Sequence, residues 1–171
     1  APITEAPQLL SLYDNTSNTE ERSYPDSYAS DDYGIPVAMF DSYPSKFQST
    51  EACFYALIGE VMESSASNST WAAEYAKIFT ANTIIESATS VNGTEAEINE
   101  VLCNGHFLRA WSYFRLATIH CLPYSEANKE KLGLPLRLGT LFTENISRAT
   151  LGKTFEQIFS DLQEAERLCI V

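Results

Sequence analysis

The feature that most constrains this chain is a pair of long apolar-patterned stretches hinged on one short turn. From about Thr70 to Ser90, Ala73, Ala76, Ala81, Ile84, Ile85 and Ala88 fall near one side, and Ile78 and Phe79 widen the stripe, which predicts a largely buried helix. Val91-Asn92-Gly93 then stops it, because Asn and Gly tolerate the left-handed conformation in which helices end. Thr94 suits the N-cap of a second helix, and Glu97 stands where a capping box places its carboxylate. That helix is expected to run to about His120 and to bury Ile98, Val101, Leu102, Leu108, Trp111, Phe114 and Ala117, with Pro123 marking its end. Two long helices on one tight turn make an antiparallel αα-hairpin.

A connector from Leu122 to Leu151, carrying Pro123 and the Gly133-Leu134-Pro135 turn, leads to a third helix from about Gly152 to Cys169. Its apolar face of Phe155, Ile158, Phe159, Leu162, Ala165 and Leu168 needs a partner, and the hairpin is the nearest surface. This order resembles stacked tetratricopeptide-type units, although the tetratricopeptide consensus is not legible. From Leu9 to about Ser69 the chain is rich in Ser, Asp, Asn, Tyr and Pro, with little helical periodicity beyond a short helix around Pro7 to Tyr13. Nine aromatic residues between Tyr13 and Tyr55 are too many for a disordered tail, since disorder requires too little apolar surface to bury. The expected fold is predominantly all-α, with tetratricopeptide-like helix pairs and long ordered loops in the N-terminal third. Residues 1–69 are expected to pack as a loop-rich segment on the helical repeats of 70–171, within one domain.

Composition narrows the function. At 171 residues and 44% hydrophobic content the chain can bury a sizeable core. A formal charge of −12 repels phosphate backbones, so nucleic acid is not an expected partner. On a solvated surface the same acidity keeps a protein soluble and implies no ligand. No stretch approaches the ~20 apolar residues of a membrane span. The chain opens on Ala1-Pro2-Ile3 without an initiator Met and closes on the apolar Leu168-Cys169-Ile170-Val171, which reads as a piece of a longer protein. Any export signal or lipid anchor would precede Ala1.

Cys53, Cys103, Cys121 and Cys169 form no C-x-x-C pair, so no zinc or thioredoxin-like motif is present. Three lie on apolar helical stretches, as small buried hydrophobes do. One disulfide is compatible with an exported protein, and the sequence does not choose the pair. Sequons at Asn15, Asn68, Asn92 and Asn145 are of the kind that a chain rich in Asn, Ser and Thr makes by chance. His106 and His120 would stand ~21 Å apart along one helix and cannot share a metal. Serine elbows, zinc-protease helices, phosphate loops and dinucleotide fingerprints are lacking. Paired acids such as Asp31-Asp32 and Glu20-Glu21 are plentiful in an acidic chain and do not by themselves make a glycosidase. The expectation is a protein without catalytic residues, metal or cofactor, and not an enzyme.

Three segments carry a family resemblance. The helix from Trp71 through Tyr75, Ile78, Ala81-Asn82 and Ile85-Glu86 looks like a W-x3-Y-x2-I-x2-A-N-x2-[LI]-E pattern. Phe107-Leu108-Arg109-Ala110 with Tyr113-Phe114 and Leu116, closing in Pro123-Tyr124, is similar to F-L-R-A-x2-Y-F-x-L with its proline exit. Gly133-Leu134-Pro135-Leu136, Arg148-Ala149-Thr150 and the run Ile158, Asp161-Leu162, Ala165 follow in the matching order. On these the chain resembles the SusD-like (SusD/RagB) nutrient-binding proteins, over about Trp71 to Leu168, with a weaker echo at Asp31-Asp32-Tyr33. Two positions depart from the pattern: Cys121-Leu122 replaces a glycine before the proline, and Lys153 stands where an acidic residue commonly completes the cap after Thr150.

The resemblance implies a cell-surface lipoprotein of the outer membrane that captures a starch-like polysaccharide or oligosaccharide. It would hand this ligand to a SusC-like TonB-dependent transporter, which the protein covers as a lid. Peptide or glycopeptide capture by the same scaffold, or a purely structural helical adaptor, are the rival readings. Sugar binding needs aromatic faces for pyranose rings and fixed polar groups for hydroxyls. Trp71, Tyr33, Tyr43 and Tyr75 with Asp31, Asp32 and Asn68 are the candidates, although aromatic residues at such positions are more often core or loop anchors. Asn82, Arg109, Arg148 and Asp161 are expected to be structural, since a guanidinium beside Leu108 and Trp111 needs a carboxylate or backbone carbonyls.

Overall fold

The computed structural model describes residues 2–15, 34, 36–42, 66–141, 143 and 147–169, with the backbone alone at 40 and 66–69. Among these, α1 spans Ala6–Asp14, α2 Val37–Ser42, α3 Ala66–Ser87, α4 Glu95–His120 and α5 Leu151–Cys169; β1 (Leu132–Pro135) and β2 (Arg148–Thr150) lie between α4 and α5. The fold is mostly helical, as the apolar spacing predicts. The chain divides into two compact units, Ala1–Glu20 with Ala73–Val171, and Glu21–Ala72. α1 therefore belongs to the same unit as α4, α5, both strands and α3 from Ala73 onward.

α3 ends at Ser87, ahead of Val91-Asn92-Gly93, and Gly93 is not in the left-handed region expected of a helix stop, but the N-cap of α4 is built as its residues suggest. Thr94 Oγ1 accepts the Glu97 N–H at 3.3 Å, and Glu97 Oε2 accepts the Thr94 N–H at 2.7 Å, closing the capping box. α1 docks at the same place: the Ala6 N–H donates to Asn92 O at 2.9 Å and the Asn92 N–H to Thr4 O at 2.8 Å. A Cβ on Gly93 would lie 2.9 Å from Ala6 Cβ, so only glycine lets α1 approach this closely. Ala6 and Leu9 of α1 then join Ile84, Ala88 and Val101 in one buried apolar cluster.

α4 is the central helix. It crosses α3 closely at Gly105, where a Cβ would meet Ile85 Cγ1 at 2.9 Å and Ile84 Cγ2 at 3.1 Å. On its other side it runs antiparallel to α5, to which it is joined by a Cys103–Cys169 disulfide with Cα atoms 5.8 Å apart. The buried face of α4 is made by Val101, Gly105, Leu108, Arg109, Ser112, Tyr113 and Leu116. Trp111 and Phe114, expected inside, are both 39% exposed. Likewise Ala76 and Phe79 of α3 and Phe159 and Leu162 of α5 face outward, and α3 instead buries an ion pair, Lys77 Nζ with Glu74 Oε1 at 2.9 Å. Two apolar stripes overlap on these helices, and the small and polar one won because it permits close helix contact and satisfies hydrogen bonds.

β1 and β2 pair antiparallel, Leu132 opposite Thr150 and Pro135 opposite Arg148, with an irregularity between them. The pair positions the start of α5. Thr150 Oγ1 accepts the Lys153 N–H at 3.2 Å, while Lys131 O and Lys129 O each accept at 2.8 Å from the N–H groups of Leu151 and Gly152. These two carbonyls and the Thr150 hydroxyl satisfy the first three N–H groups of α5. Cys121, the C-cap of α4, is extended at φ −120°, a conformation any residue adopts, so glycine is not required there.

Candidate functional site

Among the described residues, polar side chains of α3 and α4 converge on one stretch of connector, residues 135–140. α3 reaches it from one side: Tyr75 OH donates to Pro135 O at 2.7 Å, and Asn82 Nδ2 donates to Arg137 O at 2.9 Å and Gly139 O at 3.0 Å. Glu86 accepts both the N–H and the hydroxyl of Thr140, at 3.0 and 2.6 Å. From α4, Tyr113 OH donates to Arg137 O at 2.9 Å and accepts the Arg137 N–H at 2.5 Å. The Tyr75 and Tyr113 rings meet edge to face, 6.4 Å between centroids. Burial pushes both phenols well above the ordinary tyrosine range, so they act only as hydrogen-bonding hydroxyls.

Below this stretch lies a buried charge network tying three helices together. Arg109 of α4 gives Nε to Asp161 Oδ2 at 2.9 Å, Nη2 to Asp161 Oδ1 at 2.6 Å and Nη1 to Asn82 Oδ1 at 2.9 Å. Asp161, on α5, also bonds His106 Nδ1 at 2.8 Å and Gln157 Nε2 at 3.1 Å. Burial pushes the Asp161 carboxyl up, but hydrogen bonds from His106 and Arg109, with the Arg109 charge, more than offset this and hold it below the usual carboxylate range. Every oxygen of Asp161 is thus taken by the scaffold. Arg148 extends the pattern, its Nε donating to Gly133 O at 2.6 Å. Its charge adds to the effect of burial in lowering the pKa of His120.

Asn82, Arg109 and Asp161 are therefore brought together, with Arg148 a short way off on β2. The candidate ligand residues are placed differently. Tyr75 donates its hydroxyl proton to Pro135 O and meets Tyr113 edge to face, and Trp71 is half-buried on α3. Tyr33, Tyr43, Asp31 and Asp32 lie outside the described residues, as does the side chain of Asn68. An aromatic face opens outward on α4: Phe107, together with Trp111 and Phe114, which the periodicity assigned to the core and which are in contact at 6.0 Å between ring centroids. Tyr124 packs on Phe155 at 4.7 Å and is also exposed. Such rings can stack on a pyranose or on an apolar protein surface. Their one sequence signal is that they stand opposite Arg109 on the helical wheel, and a buried arginine fixes which side is inward.

A family profile described as SusD-like, "Starch-binding associating with outer membrane", matches residues 13–169. The chain belongs to this SusD-like family. A solved SusD superfamily protein from Bacteroides thetaiotaomicron is similar at 25% identity with a TM-score of 0.54, over 57% of this chain and 22% of that one. The alignment thus spans less than a quarter of that protein's length. No curated protein matches the chain. In this SusD-like chain, several of the residues that carry the family resemblance fasten the connector: Tyr75, Asn82, Glu86, Tyr113 and Arg148 bond it, and Asp161 holds Arg109, which bonds Asn82. The family signature is thus written in the scaffold.

Proposed function

We propose that this chain forms part of a non-catalytic glycan-capturing protein of the bacterial cell surface, anchored in the outer membrane as a lipoprotein. The protein takes up a starch-like polysaccharide or its oligosaccharides and passes them to a SusC-like TonB-dependent transporter. The observation that carries this reading is the starch-binding, outer-membrane family profile extending over residues 13–169. The helical unit acts as a rigid frame, since its polar side chains are spent on its own backbone. Trp71, Tyr33 and Tyr43 with Asp31, Asp32 and Asn68 are the proposed sugar contacts, and Tyr75, the remaining candidate, holds the connector through its hydroxyl. No step of chemistry is assigned to any residue.

The test is calorimetric titration of the encoded protein, and of this 171-residue chain beside it, with malto-oligosaccharides, other soluble polysaccharides and peptides. Saturable glycan binding without breakdown, weakened at least roughly tenfold by Trp71→Ala, is the expected result. Peptides bound in place of every glycan would sink the ligand assignment and leave the scaffold alone standing. Release of shortened sugar would sink the non-catalytic reading.

A further inference from the structure

α5 is held at its middle by charge and at its last turn by sulfur. Asp161 fixes the middle to Arg109 and His106. At the last turn, the described residues form one small buried cluster of Cys103, Ala165 and Leu168, with Leu102 packed against it. The Arg167–Glu164 pair on that turn is exposed, and exposed pairs hold little. Cys103 and Cys169, 66 residues apart in sequence, meet there with Cα atoms 5.8 Å apart. That separation lies inside the roughly 4.4–6.8 Å that a disulfide spans.

We propose that the Cys103–Cys169 disulfide acts as an oxidation-dependent clamp, closed when the chain reaches an oxidising compartment, and that the last turn of α5 stays seated only while this bond is closed. This inference stands apart from the glycan reading. Closing the bond removes one proton and one electron from each thiol. A disulfide-bearing oxidoreductase, or oxidised glutathione in the test tube, accepts both and becomes a pair of thiols. A dithiol reductant reverses the exchange. Such a bond persists outside the cytosol, where glutathione and thioredoxin do not undo it. Cys121 does not compete: it lies about 27 Å along α4 from Cys103 at 1.5 Å per residue. It is also half-buried, and burial raises its thiol against the opposing charge of Arg148.

The clamp is tested on the chain purified from an oxidising compartment, alkylated, and digested without reductant. The Cys103 and Cys169 peptides are expected to be joined and Cys121 to be alkylated. Under native conditions, trypsin is expected to cut after Arg167 roughly tenfold faster once dithiothreitol is added, because the last turn must open to be cut. Cutting after Lys153, at the other end of α5, should change far less. Cys103→Ser purified without reductant should behave like the reduced chain, and Cys121→Ser like the oxidised one. Should Cys103→Ser fail to fold, the reduced parent chain gives the same comparison. A bridge to Cys53 or Cys121, free thiols at both 103 and 169, or equal cutting after Arg167 before and after reduction would overturn the proposal.

Discussion

Replacing Asp161 by alanine should cost about 3–5 kcal/mol, the usual penalty for breaking a buried ion pair from one side. Arg109 is 6% exposed and sends two of its three bonding nitrogens to this carboxylate, at 2.9 and 2.6 Å. Without it a buried cation keeps only Asn82 Oδ1 at 2.9 Å and a 3.5 Å contact with Leu138 O. His106 and Gln157 lose their acceptor as well. Each stranded donor alone costs about 1–3 kcal/mol, and entry of water recovers part of the sum, which brings it back to the range above. With a urea slope of roughly 2 kcal/mol per molar, the unfolding midpoint should fall by about 2 M, read by circular dichroism with the disulfide intact. Arg109→Met combined with Asp161→Leu should recover much of the loss, since no charge is left stranded. A loss under about 1 kcal/mol for Asp161→Ala, or a double variant as damaged as the single, would refute the view that this network carries the scaffold.

Acid should act through the same carboxylate. Its folded pKa is held down, so its stabilisation is complete above the ordinary value of about 4 and drains away as pH falls through the lower folded value; Asp161→Asn should flatten the stability curve in that interval. Gly105→Ala should destabilise by about 1 kcal/mol, overpacking against Ile84 and Ile85 outweighing the gain in helix propensity, and lower the melting temperature by a few degrees. Ile158→Ala, at a 3% exposed position, should cost about 2–5 kcal/mol, whereas Phe159→Ser, at 60% exposure, should stay within about 0.5 kcal/mol. Parallel thermal melts of the two variants would show directly which stripe of α5 is the buried one.

The hairpin was legible because its signals are local. Thr94 and Glu97 cap a helix through bonds three residues apart, whereas α3 ends at Ser87, ahead of Asn92, and Gly93 serves the close approach of Ala6 rather than a left-handed helix stop. The strands were not legible, since Leu132–Pro135 and Arg148–Thr150 are too short for an alternating pattern and β1 contains both Gly and Pro. Nor was the inward side of α4. Trp111 and Phe114 outweigh Gly105, Ser112 and Arg109 on any hydrophobic scale, yet close approach to α3 and a bidentate partner on α5 decided the matter. The disulfide partner was hidden for a related reason: it depends on how α5 registers against α4, which no spacing within either helix encodes. Of the candidate sugar contacts, Tyr75 was legible as a residue of consequence, but the bond that occupies its hydroxyl comes from a connector sixty residues away.

The helices grip the connector chiefly by its carbonyls, at Pro135, Arg137 and Gly139, rather than by its side chains. A fastening of this kind is blind to the identity of the fastened residues. The path of the connector can be inherited unchanged while the exposed side chains at 138 and 141 drift, because nothing in the grip reads them. The helices that do the gripping have no such liberty, since Asn82 must present its amide, Tyr113 its hydroxyl and Arg109 its guanidinium. Variation in a lineage of such chains should therefore collect on the held segment and spare the holders, the reverse of the habit of judging a loop's importance by how little it changes.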